Sequence, residues 1–383
     1  MQTQRPPIWL LLLAALPPAA APPAHAQNQA QPPQTFTEQL APYLNPPQLE
    51  GKTNAAFEYL KAWDTLSGRD RIFFNNHYIW FPRGDKVGEE LKRSEMPENS
   101  GVTEPDFLAR HADLVQSLIQ AAAIPDCRWG IAPSPDIDNL QFFAPAYMQP
   151  MRSSSWLLAA DADRCLDEHN PSAATDRIVA LIQTSCQLHE DHYLILANVG
   201  SQWCRAALDL TDRMLREGDM SPANARRILT ALKAVPHDDP FGLCTSVEGD
   251  QHRWIHLLRT KYTGPDAGAR LVHDMQHTGY ESDAFTLARG LKEDQLQPQL
   301  RALERYDARF AALWRQPDAA ADRAELAAEA GEGQYGLLPL IVPNSSRRYY
   351  EIVTQVRTRI DTTSQSLAAI VQQNQSIPPK TQP

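Results

Sequence analysis

A mostly α fold, built as a multi-helix array of αα-hairpins, is predicted by three features of the sequence. Apolar residues recur at helical spacing in most segments after residue 53. Helix-start signals stand at Asn170-Pro171 and Ser221-Pro222, where a capping side chain precedes a proline suited to the first helical position. A weak internal repeat joins them: Asp163-Arg164-Cys165-Leu166-Asp167-Glu168 resembles Asp212-Arg213-Met214-Leu215-Arg216-Glu217. Each copy leads into a proline-started helix, opening with Arg177-Ile178-Val179 in one and Arg227-Ile228-Leu229 in the other. Stacking two such hairpins buries a shared stripe, so the array is repeat-like, although two copies also fit two hairpins of one bundle.

The 383 residues carry 36 Lys+Arg against 46 Asp+Glu, a formal net charge of −10. With 43% apolar and 21% charged residues the balance is that of a globular chain, which excludes disordered and collagen-like classes. The acidity, with an isoelectric point near 5.6, argues against nucleic acid or an anionic membrane as partner.

The chain opens with an address. Arg5 precedes an apolar run from Ile8 to Leu16, and Ala24-His25-Ala26 supplies small residues at a cleavage site. This predicts a secretory signal peptide over 1–26 and an exported protein, periplasmic or extracellular. The run is about half the length that spans a bilayer, and no other long apolar run follows, so no transmembrane segment is expected after signal removal. Eleven of the 31 prolines precede residue 48, and residues 27–50 read as a Pro/Gln-rich tether. A helical domain is expected over 51–378, with a sub-boundary near 236–250, and a disordered tail over 379–383.

In order along that domain, Thr53 can cap a helix carrying Ala56, Phe57, Leu60 and Trp63, ended by Gly68. The run Tyr78-Ile79-Trp80-Phe81 is the one short apolar segment that could pair as a strand. Thr103 caps a helix whose stripe is Leu108, Ala112, Val115, Leu118, Ile119 and Ala122, closed by Pro125. Helices are then expected over Ala146–His169, from Asn170-Pro171 to His189, from Tyr193 to Glu217, and from Ser221-Pro222 to the residue before Pro236. In the cluster His189-Glu190-Asp191-His192, Asp191 reads as an N-cap, and His189 suits the preceding helix C-terminus. The last helix has the cleanest stripe: Tyr349, Ile352, Val353, Val356, Ile360, Leu367, Ile370 and Val371.

Five cysteines are present, Cys127, Cys165, Cys186, Cys204 and Cys244, and an odd number leaves at least one thiol unpaired. Cys165 and Cys186 lie too far apart on their two arms to bridge. Cys165 and Cys204 are the most plausible helix pair, and buried free thiols are the favoured reading.

The segments Asn54-Ala55-Ala56-Phe57-Glu58-Tyr59 and Cys127-Arg128-Trp129-Gly130, the long hairpins, and the stretch from Leu337-Leu338-Pro339 to Pro378 resemble secreted helical proteins common in planctomycete bacteria. The resemblance covers about half of the chain after the signal peptide. It implies an exported helical fold and carries over no catalytic residues and no cofactor.

The phosphate-loop, dinucleotide, nucleophile-elbow, zincin and EF-hand patterns are absent. The chemistry-bearing feature that stands out is a set of histidines. His252 and His256 are four apart, as are His273 and His277, and the pairs are symmetric about the turn Thr263-Gly264-Pro265-Asp266. A pair at that spacing on a helix can hold one metal, so these four are the candidate metal ligands. Helical phase opposes the site: Trp254, Leu257 and Leu258 define the apolar face of one arm, and Leu271, Val272 and Met275 that of the other. Both histidine pairs then point away from those faces. Trp129, Trp156, Trp203, Trp254 and Tyr147 could line a groove for apolar or glycan ligands, though aromatics at such positions pack in cores. The leading expectation is an exported, non-catalytic protein that meets a protein or envelope partner. The alternatives are a metal-binding protein or metal-dependent hydrolase using the paired histidines, and a groove-type binder.

Overall fold

The computed structural model describes residues 35–76, 104–131, 145–277, 284–316, 320–341 and 346–375. All regular structure among them is helical, apart from two isolated bridges, Leu44–Ile131 and Leu49–Lys52. The expected signal peptide over 1–26, the strand candidate at Tyr78–Phe81 and the expected tail over 379–383 lie outside the described residues. The chain divides into two compact units, one formed by residues 32–246 with 348–383 and the other by residues 247–347.

The first unit begins inside the segment expected to be a tether. Thr35 and Glu38 form a capping box at the start of α1 (Phe36–Leu40). Phe36 is 1% exposed and meets the rings of Trp63 and Phe74 at 6.0 and 6.1 Å. Leu40 and Leu44 are buried too, so residues 35–50 are folded and the tether expectation is corrected there. The proline and glutamine content hid Phe36, Leu40 and Leu44, which are spaced four apart and need a core.

The cap of α2 (Ala55–Asp64) is Asn54, not Thr53. Its Oδ1 accepts from Ala56 N at 3.1 Å and from Arg128 N at 2.9 Å, while Nδ2 donates to the carbonyls of Pro47 and Arg128. One amide thereby starts a helix and staples the Cys127–Gly130 segment, a task that a hydroxyl without donor pairs cannot do. Gly130 has φ +59°, and a Cβ there would lie 2.0 Å from the Asn45 carbonyl oxygen, so a side chain is excluded.

After α3 (Gly68–Asn76), the single helix expected from Thr103 is broken into α4 (Glu104–Arg110) and α5 (Ala112–Ala122). His111 leaves helical geometry at the joint, with φ −116° and ψ 32°. Its ring packs 4.4 Å from Phe107, and Nε2 lies 3.2 Å from the Asp70 carboxylate, which Arg110 also pairs.

Two hairpins follow: α6 (Met148–Asp167) with α7 (Pro171–Gln187), and α8 (Leu194–Glu217) with α9 (Pro222–Lys233). Both turns are built alike. Asn170 and Ser221 accept from the amides of Ala173 and Asn224, and a proline occupies the first turn of each second helix. Helices α7 and α8 approach closely at Gly200, where a Cβ would lie 2.7 Å from the Ser185 carbonyl oxygen. A short 3₁₀ turn, Leu188–Asp191, joins them, and the N-cap of α8 is Tyr193. The capping role expected of Asp191 is therefore corrected. All five cysteines are free, and all but the half-buried Cys186 are buried.

In the second unit, α10 (Leu243–Thr260) enters at Val247 and is followed by α11 (Ala267–His277), α12 (Phe285–Ala288), α13 (Glu293–Trp314), α14 (Ala320–Gly331) and α15 (Leu338–Ile341). Its core is the stripe of α13, where Leu296, Leu300, Leu303, Phe310 and Ala311 are buried. Ion pairs set the register: Glu248–Arg315 and Arg259–Glu304 hold α10 antiparallel to α13, and Arg309–Glu329 joins α13 to α14. The chain then returns to the first unit through α16 (Ser346–Gln375), whose stripe Val353, Val356, Ile360 and Leu367 is buried.

Candidate functional site

The four candidate metal ligands fall on α10 and α11. His252, His256 and His273 are exposed, while Leu257, Leu258, Leu271 and Val272 on the same helices are buried. His252 spends Nδ1 on the carbonyl of Glu248 at 2.7 Å. The side chain of His277 lies outside the described residues. Among the described residues no three His, Cys, Asp or Glu side chains converge on a common metal position.

Four of the five aromatic residues expected to line a groove are core, and the side chain of the fifth, Trp254, lies outside the described residues. Trp129, Trp156, Trp203 and Tyr147 are each exposed by 1% or less. Trp129 stacks on Trp63 at 5.5 Å and on Tyr147 at 4.3 Å, with Tyr59 beside both tryptophans. Trp129 Nε1 is buried without a hydrogen-bond partner among the described residues, whereas the other polar tips of this stack are consumed internally. Trp63 Nε1 donates to Ser154 Oγ at 2.8 Å, and the Tyr147 hydroxyl donates to Asp191. The Tyr59 hydroxyl donates to Gln187 Oε1 at 2.7 Å, and the amide of Gln187 donates to the carbonyls of Ala122 and Ile124 at the end of α5. Burial raises the Tyr59 phenol well above its ordinary range, and burial with the Asp191 carboxylate does the same to Tyr147. Burial also lifts the Cys186 thiol to about 11 and the Cys204 thiol further, so both stay protonated and unreactive near neutrality. The cluster is a structural hub that pins α2, α5, α6 and α7 together.

Charged residues of the hairpins are committed to one another. Asp161, 2% exposed, takes Arg164 and Arg177 at 2.7 Å each. Arg213 of α8 reaches Asp163 at 2.6 Å and Asp167 at 2.8 Å on α6, and Arg359 of α16 reaches Asp209 and Asp212 of α8 at 2.6 Å each.

The surface that stands apart is the outward side of α16. Thr354, Gln355, Thr358, Thr362, Gln365 and Ser366 are exposed along it. From Ile360 to Gln375 the one charged residue is Asp361. The hydroxyls form a ladder: Thr358 donates to the Thr354 carbonyl at 3.0 Å, Thr362 to that of Thr358 at 3.0 Å, and Ser366 to that of Thr362 at 3.2 Å. With their protons spent on the helix backbone, these oxygens present lone pairs outward about every 6 Å. Sequence reasoning read only the apolar stripe of this helix. The signal for the opposite side was present, as Thr354, Thr358, Thr362 and Ser366 recur at the i, i+4 spacing.

Comparison with protein-family models, with curated proteins and with solved structures finds no match to this chain.

Proposed function

We propose that this is an exported protein with a non-catalytic interaction role at the cell envelope, and that the outward side of α16 is its contact surface. The observation that carries the reading is the hydroxyl and amide stripe of α16, whose segment from Ile360 to Gln375 holds one charged residue, Asp361, on a chain in which 21% of residues are charged. Interface centres are depleted of charge because desolvating an ion costs far more than desolvating a hydroxyl. The stripe offers acceptors and amides to a partner protein or an envelope polymer. The arginines and carboxylates around it support the reading in a second way, since their pairing fixes the array that holds α16 in place. Stacked hairpins are a recurrent way to build an extended binding face. Export rests on the N-terminal address over 1–26.

The test is site-specific photo-crosslinking in the cells that make the protein. A probe at Thr358 or Gln365 should give one discrete adduct, and the same probe at exposed Arg226 of α9 should not. Thr362→Arg should abolish the adduct without moving the thermal midpoint. No adduct from α16, or the same adducts from Arg226, would sink the reading.

A further inference from the structure

Helix α13 carries a carboxylate on its apolar stripe. Asp307 lies between Leu303 and Phe310, one turn from each, and is half-buried. The antiparallel register of α10 and α13 places it opposite the span from Gln251 to Arg259. Gln251 Nε2 donates to the backbone carbonyl of Asp307 at 3.3 Å, so the two helices touch at this level.

No cation serves the Asp307 carboxylate among the described residues. On α10, Arg259 is committed to Glu304, Glu248 is taken by Arg315, Arg253 pairs with Asp250, exposed His252 bonds its own helix, and His256 is exposed. On α14, Glu329 is held by Arg309 with Tyr335, and Arg323 donates to the carbonyls of Leu313 and Gln316. Helix α15 carries no titratable side chain. Helix α11 meets the start of α13, where Gly268 N donates to the Leu291 carbonyl at 2.9 Å, about 20 Å from Asp307 along the helix; its Asp274 is paired with Lys261, and its Arg270 and His273 are exposed. On α13 itself the near charge is Glu304, of like sign. Burial first, and Glu304 second, lift the Asp307 carboxyl to about 7.

We propose that the α10–α13 seam is an acid-tightened latch: proton uptake at Asp307 closes it, and proton loss loosens it. A neutral carboxyl can lie against Leu303 and Phe310, whereas a carboxylate there draws water into the seam or pushes the helices apart. The flanking pairs Glu248–Arg315 and Arg259–Glu304 hold the register on either side of it. The device thus lies within the unit formed by residues 247–347 and is independent of the α16 surface.

Hydrogen exchange of the full chain, read by mass spectrometry at pH 5.0 and 8.0 and corrected for intrinsic rates, tests it. Amides of α10 from Val247 to Thr260 and of α13 from Leu303 to Phe310 should be protected at least about tenfold more at the lower pH, with α6 to α8 serving as the internal reference. Asp307→Asn, which mimics the protonated group, should show the high protection at both values. Equal wild-type protection at the two values would overturn the latch, and so would a difference that persists in Asp307→Asn. The wild-type comparison decides by itself if that variant does not fold.

Discussion

Arg359 holds Asp212 at 2.6 Å as Arg213 holds Asp163 at 2.6 Å. Asp163 and Asp212 are equivalent positions of the internal repeat, each followed by Arg and ending its segment with Glu. The last helix therefore meets the second hairpin through the contact that the second hairpin makes with the first. Helix α16 thus grips α8 through an arginine–carboxylate contact of the kind that α8 makes with α6.

Replacing Arg359 by Met keeps an unbranched apolar stem and removes two ion pairs. Arg359 and its partners Asp209 and Asp212 are all part-exposed, so solvent screening limits the loss to about 1 kcal/mol. A lower urea midpoint with an unchanged slope is the expected result. Arg359→Lys should recover only part of it, because one ammonium cannot grip both carboxylates as a fork does. A wild-type midpoint for Arg359→Met would show that the apolar stripe alone holds α16.

Much of the architecture was legible because it follows from local rules. Asn170-Pro171 and Ser221-Pro222 cap and start helices wherever they are placed, and Val353, Val356, Ile360 and Leu367 demand a covering whatever supplies it. Contacts between distant segments were not legible. Asn54 displaced Thr53 as a cap because its amide also bonds Arg128, 74 residues away. Asp191 looked like a cap from its neighbours but is taken by Tyr147, 44 residues away. Phe36 was hidden by its composition. The internal repeat was visible, yet its physical content, Arg213 on Asp163, is a contact across 50 residues. Of the candidate site, the i, i+4 hydroxyls could be read off the chain, but only the fold shows which side of α16 faces out.

Asn198 of α8 is 1% exposed, and neither its amide nitrogen nor its oxygen has a hydrogen-bond partner. An unsatisfied buried amide costs about 1–3 kcal/mol. Asn198→Leu, close in size, should raise stability by about 1 kcal/mol once imperfect fit is set against that gain. Thermal unfolding measures it. A drop instead would mean that an ordered water satisfies the amide and that the substitution evicts it.

Asp307 makes stability depend on pH with a definite sign. Its folded-state value of about 7 lies above the ordinary 3.8, so folding favours the protonated form. The protein is most stable with respect to this group below about pH 4, loses stability as pH rises from there to 7, and is level above. The whole difference is about 4 kcal/mol at most. Asp307→Asn should therefore add about 2–4 kcal/mol at pH 8 and almost nothing at pH 4. Chemical denaturation at the two values gives the comparison. An equal effect at both would show that the Asp307 carboxylate is already solvated in the folded chain.

Ile360 decides whether α16 is held by its stripe. It is 9% exposed, one turn from Val356 at 1%, and Leu367 further along is at 0%. A helix of 30 residues with so polar an outer side is not stable alone, so packing of this stripe must hold it. Ile360→Asp sets an unpaired carboxylate among those side chains, with Asp209 and Asp212 already on α8 to repel it. A loss of about 3 kcal/mol or more is expected. Ile360→Val removes one methylene and should cost about 1 kcal/mol, which separates packing from charge. Circular dichroism followed against temperature reads both variants. If the Asp variant keeps the wild-type midpoint, the stripe is not what docks α16, and Arg359 with its two carboxylates would have to carry the helix unaided.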